Sequence, residues 1–346
     1  MSIHEPWFER FCLLLLRGQP TSVAIDHAVA CGSSLQDAEA AAKIVLASPL
    51  FTVAHKLCVQ VVCRDWMLST ICSLAARGAD LGAIDYRDTI GRTEFMEEYY
   101  SRNRALFLSG AASGWPAVAK WSAGYLKKRC GAEIVEIMVG REAAAISDQS
   151  TSDALRRRVV FAEYIDAVYS AGWTNDIYMV ARNRFFASEQ TAKLLEDFNH
   201  LPFVNTRPHV NEVKLFFGPA GTVSPLHYDG RNNLLVQIVG TKEVRLYTPA
   251  CSHLMAQRIP WYAGCDPMTS QDFCVSERQE AAGITVHLEP GDAVFIPVGW
   301  WHAVTAHTVS MSVSFYDFGI ENRFQFPVRG SIAIPHALKI SSERVS

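Results

Sequence analysis

The spacing of apolar residues changes along the chain, and the first part is typical of short helices. The segment DAEAAAKIVLAS (37–48) is rich in strong helix formers, and Ser33 or Ser34 is a suitable N-cap for it. A second helix is predicted over VAHKLCVQVVCRDWMLSTICSLAARG (53–78), whose apolar positions form a wide stripe closed by a glycine. These patterns predict an N-terminal helical region over residues 1–90.

The pattern is mixed between this helical region and residue 211. The run RALFLSGAASGWPAVAKW predicts a short strand, a glycine-rich turn and a helix that opens at Trp115–Pro116. EIVEIMVG (133–140) alternates as strands do, whereas RRRVVFAEYIDAVYSAG (156–172) predicts one helix. Its three arginines could contact phosphate or nucleic acid, but acidic residues follow them, and a solvated helix face is the better interpretation.

From Asn211 onward the periodicity is that of a β protein. Short runs rich in Val, Ile and Phe are separated by Gly and Pro, and such a succession predicts a sandwich or barrel. The runs are EVKLFFGPAG, NLLVQIVG, KEVRLYTP, ITVHLEPGDAVFIP and HTVSMSVSFYDFG. We therefore predict a mainly β domain over residues 91–346, after the helical region.

Composition narrows the class of protein. Of the 346 residues, 49% are hydrophobic and 19% are charged, which is enough apolar surface for a real core. A net charge of -3 argues against a bulk nucleic-acid binder, although it leaves a local basic groove open. No apolar run reaches the roughly 18 residues that span a bilayer, and the start lacks the features of a secretory signal. Nine cysteines without a CxxC pair indicate a reducing compartment, so we expect a cytoplasmic protein with no membrane partner.

Candidate chemistry lies in two short segments of the β region. In SPLHYDG (224–230), His227 and Asp229 stand one residue apart, so a strand would project both to one face. His302 follows much later, in GWWHAV. Two histidines and one carboxylate are the donors of a facial triad that binds Fe(II) and leaves half its coordination sphere open. Zinc is less favoured, because structural zinc sites usually take a fourth protein ligand. The alternative is that three polar residues lie near apolar strands by chance.

The segments around these donors carry a family resemblance. GPAGTVSPLHYDGRNNLLVQIVGTKEVRLYTP (218–249) and LEPGDAVFIPVGWWHAV (288–304) closely resemble the JmjC-domain, cupin-like Fe(II)- and 2-oxoglutarate-dependent oxygenases. Among these they are most similar to the small JmjC-only hydroxylases. The resemblance runs from about Ala105 to Phe318, and it implies a double-stranded β-helix (jelly-roll) core.

The resemblance also implies roles for individual residues. It matches three residues to iron ligands and four to contacts with the cosubstrate 2-oxoglutarate. It also implies O2 as a further substrate. The implied iron ligands are His227, Asp229 and His302, and the implied cosubstrate contacts are Tyr178, Ser224, Asn233 and Lys242. Among the latter, Lys242 is matched to the lysine that pairs with the distal carboxylate. Three of the cosubstrate contacts have plainer interpretations. Lys242 could be a surface lysine in a hairpin, Asn233 could cap a turn, and Tyr178 could be a core residue.

The sequence matches the family less well at the substrate-binding positions than at the metal ligands. Phe216 stands where an arginine-hydroxylating relative has tryptophan, and Tyr316-Asp317 replaces an aromatic pair. We expect one of Trp300 and Trp301 to pack in the core and the other to line the pocket, and we take Trp301 as the candidate for the pocket. Asp317 hints at a polar or cationic substrate side chain. Four other histidines lie outside the motifs, and we interpret them as structural: His209, His253, His287 and His307.

Three functions remain open at this point. The first is an oxygenase that hydroxylates an amino-acid side chain in a peptide or protein, with conversion of 2-oxoglutarate to succinate and CO2. The second is an oxygenase of the same mechanism that acts on a small or carrier-bound molecule or demethylates an N-methyl group. The third is a cupin that binds metal without catalysis. The sequence leaves the oligomeric state open, and the tail segment FPVRGSIAIPHALKI (326–340) is interpreted either as packing on the barrel or as a dimer contact.

Overall fold

The chain folds into two units that differ in secondary structure. A computed structural model describes the following residues: 6–75, 83–144, 152–180, 183–205, 209–255, 262–263, 266–267, 270, 283–322 and 324. One unit takes in residues 1–81 with 250–256 and 271–282, and the other takes in 82–249, 257–270 and 283–346. The first boundary between the two units lies between residues 81 and 82. The sequence predicts a boundary at residue 90. The tail segment 326–340 lies outside the described residues.

The first unit is built from four helices. Their bounds are α1 Pro6–Leu16, α2 Thr21–Ala30, α3 Leu35–Ala47 and α4 Pro49–Ala75. Ser34 is the N-cap of α3, because its hydroxyl accepts a hydrogen bond from the Asp37 backbone N–H at 3.0 Å. Phe11, one turn before Leu15 on α1, packs against small residues of α2 and α3, and this buries a narrow core. No single described helix is long and apolar enough to cross a membrane, although α3 and the segment Pro49–Trp66, bent by 78°, would meet that test as a pair.

The second unit contains thirteen strands among the residues described. Their bounds are β1 Asp85–Arg87, β2 Leu106–Leu108, β3 Ile134–Val139, β4 Arg156–Val160, β5 Ile177–Tyr178, β6 Val213–Gly218, β7 Val223–Tyr228, β8 Asn233–Val239, β9 Lys242–Tyr247, β10 Ile284–Leu288, β11 Ala293–Ile296, β12 Trp301–Ala306 and β13 Ser310–Phe315. A six-stranded sheet has the order β1-β2-β11-β8-β13-β6, and a four-stranded sheet has the order β10-β9-β12-β7. Three further strands pair as β4-β3-β5. Every pairing is antiparallel except β1 with β2.

Alternation along the strands explains how the two large sheets enclose a core. On β8, Leu235 belongs to an apolar cluster with Val244 and Leu246 of β9, which lies in the other sheet. Its neighbours Leu234 and Val236 point the opposite way, into a larger cluster with helical residues such as Phe161. The six-stranded sheet is thus covered on both faces, and the two sheets pack face to face. This arrangement confirms the predicted jelly-roll core.

Shorter helices cover the outer face of the six-stranded sheet or connect its strands. Their bounds are α5 Arg92–Glu94, continued as a π-helix over Phe95–Tyr100, α6 Pro116–Lys120, α7 Ala123–Cys130, α8 Phe161–Ser170 and α9 Glu189–Ala192. Single 3₁₀ turns cover Asp153–Leu155, Phe185–Ala187, Lys193–Asp197, Val210–Glu212 and Pro249–Leu254. Helix α6 opens at Pro116 after Trp115, as the sequence predicts.

The prediction of a single helix over residues 156–172 is wrong. Arg156–Val160 forms β4, which pairs antiparallel with β3, and helix α8 begins only at Phe161. The β-branched pair Val159 and Val160 suits a pleated strand, and β3 supplies the partner for its backbone hydrogen bonds. The arginines stand on this strand, and Arg156 forms ion pairs with Glu136 and Asp153.

A tight turn after β8 sets the start of β9. Gly240 has a φ of +70°, and a Cβ at this position would collide with the backbone oxygen of Val309. Only glycine meets both conditions without strain. The turn therefore fixes which residue begins β9, and that residue is Lys242.

Candidate active site

Three potential metal ligands meet on two neighbouring strands of the four-stranded sheet. His302 on β12 stands directly opposite His227 on β7, and the centres of their rings are 4.2 Å apart. Asp229 follows β7 on the same face, with its Oδ2 at 4.0 Å from His302 Nε2. One ligand atom from each residue lies within 4.8 Å of the other two. We call His227, Asp229 and His302 the inner cluster.

Backbone carbonyls fix the orientation of both imidazoles. His227 Nδ1 lies 2.7 Å from the Pro225 oxygen, and His302 Nδ1 lies 3.0 Å from the Trp300 oxygen. A carbonyl oxygen can only accept, so each Nδ1 must carry the proton and donate it. In a neutral imidazole held in this way, Nε2 keeps a lone pair for a metal ion, which is how ligating histidines are usually oriented.

The environment of His302 favours its neutral form. Burial, followed by the nearby His227, lowers the pKa of His302 to about 4, although Asp229 acts in the opposite direction. Only 4% of the His302 side chain is exposed, compared with 35% of the Asp229 side chain. At neutral pH the buried imidazole is therefore ready to bind a cation, and the carboxylate stands at the more open side.

The inner cluster lies in the wall of a cavity of about 320 Å³. This volume is near the lower end of the range of roughly 300–1,000 Å³ for small-molecule pockets. The wall is made by residues of both large sheets, together with Tyr178 of β5 and Tyr262. The lining residues are Tyr178, Val180, Phe216, Ser224, His227, Tyr228, Asp229, Gly230, Asn233, Leu235, Lys242, Tyr262, Ile296, His302, Val304, Ser314 and Tyr316.

Lys242 lies in the same cavity and is almost fully buried, with 2% of its surface exposed. Its Nζ donates a hydrogen bond to the Tyr178 hydroxyl at 3.4 Å and lies 5.8 Å from the centres of the Tyr178 and Phe216 rings. In the described part of the chain, no carboxylate forms an ion pair with it. A buried amino group without an anion is costly, so this end of the cavity suits the carboxylate of a ligand.

Two smaller polar side chains complete this part of the wall. Asn233 is 5% exposed, and its Oδ1 has no hydrogen-bond partner among the described residues. Ser224, on β7, lines the cavity three residues before His227. A buried amide oxygen without a partner is unusual in a folded protein, and a bound polar molecule would explain it.

Arg141 supports Tyr178 from behind, and sequence reasoning missed it. Its fully buried guanidinium donates to the Asn175 side chain and to the Val223 backbone oxygen, and it lies 5.0 Å from the centre of the Tyr178 ring. Burial lowers the pKa of Arg141, while Tyr178 acts the other way. Gly218 also leaves room for the ring, because a Cβ at this position would lie 2.7 Å from Tyr178 Cδ2. Both residues therefore help to set the position of Tyr178.

Tyrosines surround the end of the cavity that holds the inner cluster. The ring of Tyr262 stacks on His227 at 5.7 Å, and Tyr316 lines the same end. Burial and then Asp229 raise the pKa of Tyr316 well above its ordinary value, so its phenol stays protonated. The Arg231 guanidinium covers the Tyr316 ring at 4.0 Å. Tyr262 was not singled out from the sequence. Tyr228, between two candidate ligands, is expected to point away from them, and its ring packs against Trp301.

The four expected substrate residues fall in different places. Tyr316 lines the metal end of the cavity, whereas Phe216 lines it near Lys242. Trp301 is outside the lining, because it faces away from His302 and packs edge-on against Tyr228 at 4.7 Å. Asp317 is also outside it, and its carboxylate accepts hydrogen bonds from Asn205 and from the Gly319 N–H.

The other tryptophan of that pair does not line the cavity either. Trp300 packs in the core between the sheets and donates its indole N–H to Asn103. Neither Trp300 nor Trp301 therefore lines the cavity, in contrast to the expectation that one of them would. Asp317, bound to its own neighbours, gives no indication of a cationic substrate.

The donor set and the wall fit Fe(II) and 2-oxoglutarate. Two imidazoles and one carboxylate on one side of an open space are the ligands of non-haem iron oxygenases, and the described wall offers no fourth His, Cys, Asp or Glu to close that space. The unpaired Lys242 and the Asn233 oxygen are suited to the polar ends of a dicarboxylic acid.

Comparison with known proteins gives the family. The cupin-like domain family matches residues 92–318, which is more than half of the chain. Lysine-specific demethylase 8 of Xenopus tropicalis is 32% identical over 233 residues, which are 64% of this chain and 50% of that protein. Jumonji C domain-containing protein 5 of Drosophila melanogaster is 29% identical over 232 residues, which are 64% and 57% of the two chains. The human bifunctional peptidase and (3S)-lysyl hydroxylase JMJD7 is 21% identical over 263 residues, which are 67% and 83%.

The chain thus spans about half the length of the first two relatives. Its JmjC relatives are 2-oxoglutarate-dependent oxygenases, with demethylases and hydroxylases among them. They use Fe(II), 2-oxoglutarate and O2. The chain belongs to the cupin-like JmjC family.

Proposed function

We propose that this protein is an Fe(II)- and 2-oxoglutarate-dependent hydroxylase that acts on an amino-acid side chain of a peptide or protein. The observation that carries the proposal is the pairing of two features in one cavity: the inner cluster and the buried Lys242 without a carboxylate partner among the described residues. A metal-binding cupin without catalysis would need the first feature only.

The residues of the chain have separate tasks in this reaction. His227, Asp229 and His302 hold Fe(II), and the carbonyls of Pro225 and Trp300 keep the two imidazoles oriented. Bound Fe(II), with 2-oxoglutarate and O2, supplies the oxidant for a C–H bond as 2-oxoglutarate becomes succinate and CO2. The protein positions the reacting C–H bond and keeps stray water away from the site.

At the other end of the cavity, Lys242 and the Tyr178 hydroxyl bind the distal carboxylate of the cosubstrate. Both groups are buried, so the charge-assisted hydrogen bonds to a carboxylate are strong there. Ser224 and Asn233 contact the remaining polar atoms, and the Phe216 ring covers the apolar chain.

The shape of the cavity supports a side chain as the substrate. The Lys242 end is buried, while the Asp229 end is the more exposed, so cosubstrate occupies the deep part and substrate enters near Asp229. About 320 Å³ leaves room for one side chain beside the cosubstrate. Tyr262 and Tyr316 offer an aromatic wall for a long apolar or cationic stem. Two relatives are named for chemistry on lysine, so lysine-containing peptides are the first to test.

The experiment is an assay for succinate with purified protein, Fe(II), ascorbate and 2-oxoglutarate, followed by mass spectrometry of candidate peptides. We expect a peptide to gain one oxygen atom, and we expect Asp229→Ala to abolish succinate formation. An active wild-type preparation in which Asp229→Ala is equally active would refute the assignment of the site.

N-demethylation is the second candidate, because four of the similar proteins are named lysine-specific demethylases. The same residues serve both reactions, since demethylation begins with hydroxylation of the N-methyl carbon. A methylated peptide that loses one CH2 and releases formaldehyde would favour this function. A stable gain of oxygen on an unmethylated peptide would favour the first.

A further inference from the structure

The outer face of the four-stranded sheet carries a second group of metal-ligand side chains. Glu243 on β9, His287 on β10 and His307 just after β12 have ligand atoms that lie within 4.8 Å of one another. We call these three residues the outer cluster. The sequence analysis interpreted both of its histidines as structural, because neither stands in a motif.

Strand register explains why these residues meet. His287 pairs directly with Glu243 across β10 and β9, and Glu243 pairs with Thr305 across β9 and β12. His307 lies two residues beyond Thr305 and so returns to the same face. Side chains directly opposite each other on antiparallel strands have their Cβ atoms roughly 5 Å apart, a spacing that one metal ion can bridge.

The contacts of Glu243 leave one carboxylate oxygen directed at the histidines. Its Oε1 lies 3.5 Å from Arg245 Nη1, and Arg245 is itself held by Asp266 at 3.0 Å. Its Oε2 lies 3.8 Å from His307 Nε2. Arg245 thus orients the carboxylate as the outer partner of a ligating carboxylate does.

We infer that the outer cluster is a second metal site, which binds Zn²⁺ in preference to Fe²⁺ and ties the edge strand β10 to β9 and to the end of β12. Two histidines and one glutamate, with water as the fourth ligand, make the open type of tetrahedral zinc site, which differs from the closed structural sites with four protein ligands. Ligands of such an ion lie about 3.3 Å apart, and exposed side chains reach this spacing by small rotations. Since affinity for one donor set rises from Fe²⁺ to Zn²⁺, an open surface site discriminates against iron.

The outer cluster lies at the edge of the four-stranded sheet, so a metal ion bound there would affect how the edge strand is held. Strand β10 is the last strand of its sheet, and it pairs only with β9 among the described strands. His287 is the residue of β10 that would ligate the ion, while the other ligands come from β9 and the end of β12. Bound Zn²⁺ therefore adds a cross-link to an edge strand that has backbone hydrogen bonds on one side only. It stabilises the folded state by an amount that rises with the logarithm of free Zn²⁺ above the Kd.

The test is the number of Zn²⁺ ions bound at equilibrium dialysis, measured on four proteins. They are the wild type, the inner variant His227→Ala/His302→Ala, the outer variant His287→Ala/His307→Ala, and the control His200→Ala, which removes another exposed histidine. We expect two ions for the wild type and the control and one for each double variant. An inner variant that binds no Zn²⁺, or an outer variant that still binds two, would overturn the inference.

Two further measurements on the inner variant locate the ion and identify its class. Zn²⁺ is expected to raise the Tm, and adding either His287→Ala or His307→Ala is expected to weaken Zn²⁺ binding at least about 10-fold, since even outer partners of ligands contribute about 10–100-fold. Fe²⁺ under anaerobic conditions is expected to bind more weakly than Zn²⁺. A Tm that Zn²⁺ leaves unchanged, or Fe²⁺ binding as tight as Zn²⁺ binding, contradicts the assignment.

Discussion

The inner and outer clusters contain nearly the same donors on opposite faces of one sheet. Each has two histidines and one carboxylate, and each has its ligand atoms within 4.8 Å. Lys242 and Glu243 are adjacent on β9, so one side chain faces the cavity and the next faces outward. The two clusters differ in their surroundings: His302 is 4% exposed, whereas His307 is 43% exposed.

This difference shows what a metal site needs beyond its ligands. In the inner cluster each imidazole donates Nδ1–H to a backbone carbonyl, so that its tautomer and orientation are set before metal arrives. The inner cluster also borders a cavity with polar groups that suit a cosubstrate. The outer cluster has an orienting arginine on its carboxylate, and its three residues are not among those that line the cavity of the inner cluster. We therefore expect catalysis at the first site and reversible structural binding at the second.

The largest expected effect comes from removing each carboxylate. Asp229→Ala is expected to lower succinate formation at least about 100-fold, because loss of a ligand costs more than the roughly 10–100-fold cost of losing a partner of a ligand. The matched variant Glu243→Ala removes the carboxylate of the outer cluster and should leave the rate of succinate formation within about 2-fold, as surface substitutions usually do. Equal losses in the two variants would break the distinction between the clusters.

The next effect concerns the two adjacent residues on β9. Lys242→Met is expected to raise the Kd for 2-oxoglutarate about 30-fold or more, because loss of one partner of a buried charge pair costs about 2–5 kcal/mol. Glu243→Gln, one residue later but on the other face, should leave this Kd unchanged. Isothermal titration with Mn²⁺ in place of Fe²⁺ measures both values. A Lys242→Met variant that binds 2-oxoglutarate normally would place the cosubstrate elsewhere.

Sequence reasoning reached the inner cluster because strand alternation is local. Alternation groups His227 with Asp229, the chemistry of the donors adds the distant His302, and the family resemblance supports all three. The same alternation excludes Trp301 from the pocket, since the residue before His302 on a strand must face the other way. Trp301 was expected in the pocket only because it is next to His302 in the sequence.

Other parts of the fold depend on contacts between distant segments. Arg141 has no local signal, because its partners Asn175 and Val223 come from segments 34 and 82 residues away. The strand β4 was predicted as part of a helix because only its pairing with β3 decides its structure. The outer cluster likewise exists only through the register of three strands.

A smaller effect is expected from Arg141, which we assign as a positioning residue for Tyr178. Arg141→Lys keeps the charge but loses the planar contact over the ring, so about 1 kcal/mol of cation–π energy, or roughly 5-fold, is expected in the KM for 2-oxoglutarate. The kcat at saturating cosubstrate should stay within about 2-fold, because the inner cluster is untouched. A fall in kcat without a change in KM would show that Arg141 acts on the metal end and not through Tyr178.

The smallest effect separates metal ligands from structural histidines in the outer cluster. With metal removed by chelator, His287→Ala/His307→Ala is expected to change the free energy of unfolding by no more than about 0.5 kcal/mol, because both side chains are exposed and surface substitutions usually have effects of this size. The difference between wild type and variant should then grow as Zn²⁺ is added, since only the wild type gains binding energy at this face. Urea unfolding at fixed free Zn²⁺ measures both states. A large destabilisation without metal would mean that the imidazoles stabilise the sheet by packing, and the resemblance between the two clusters would then be one of composition alone.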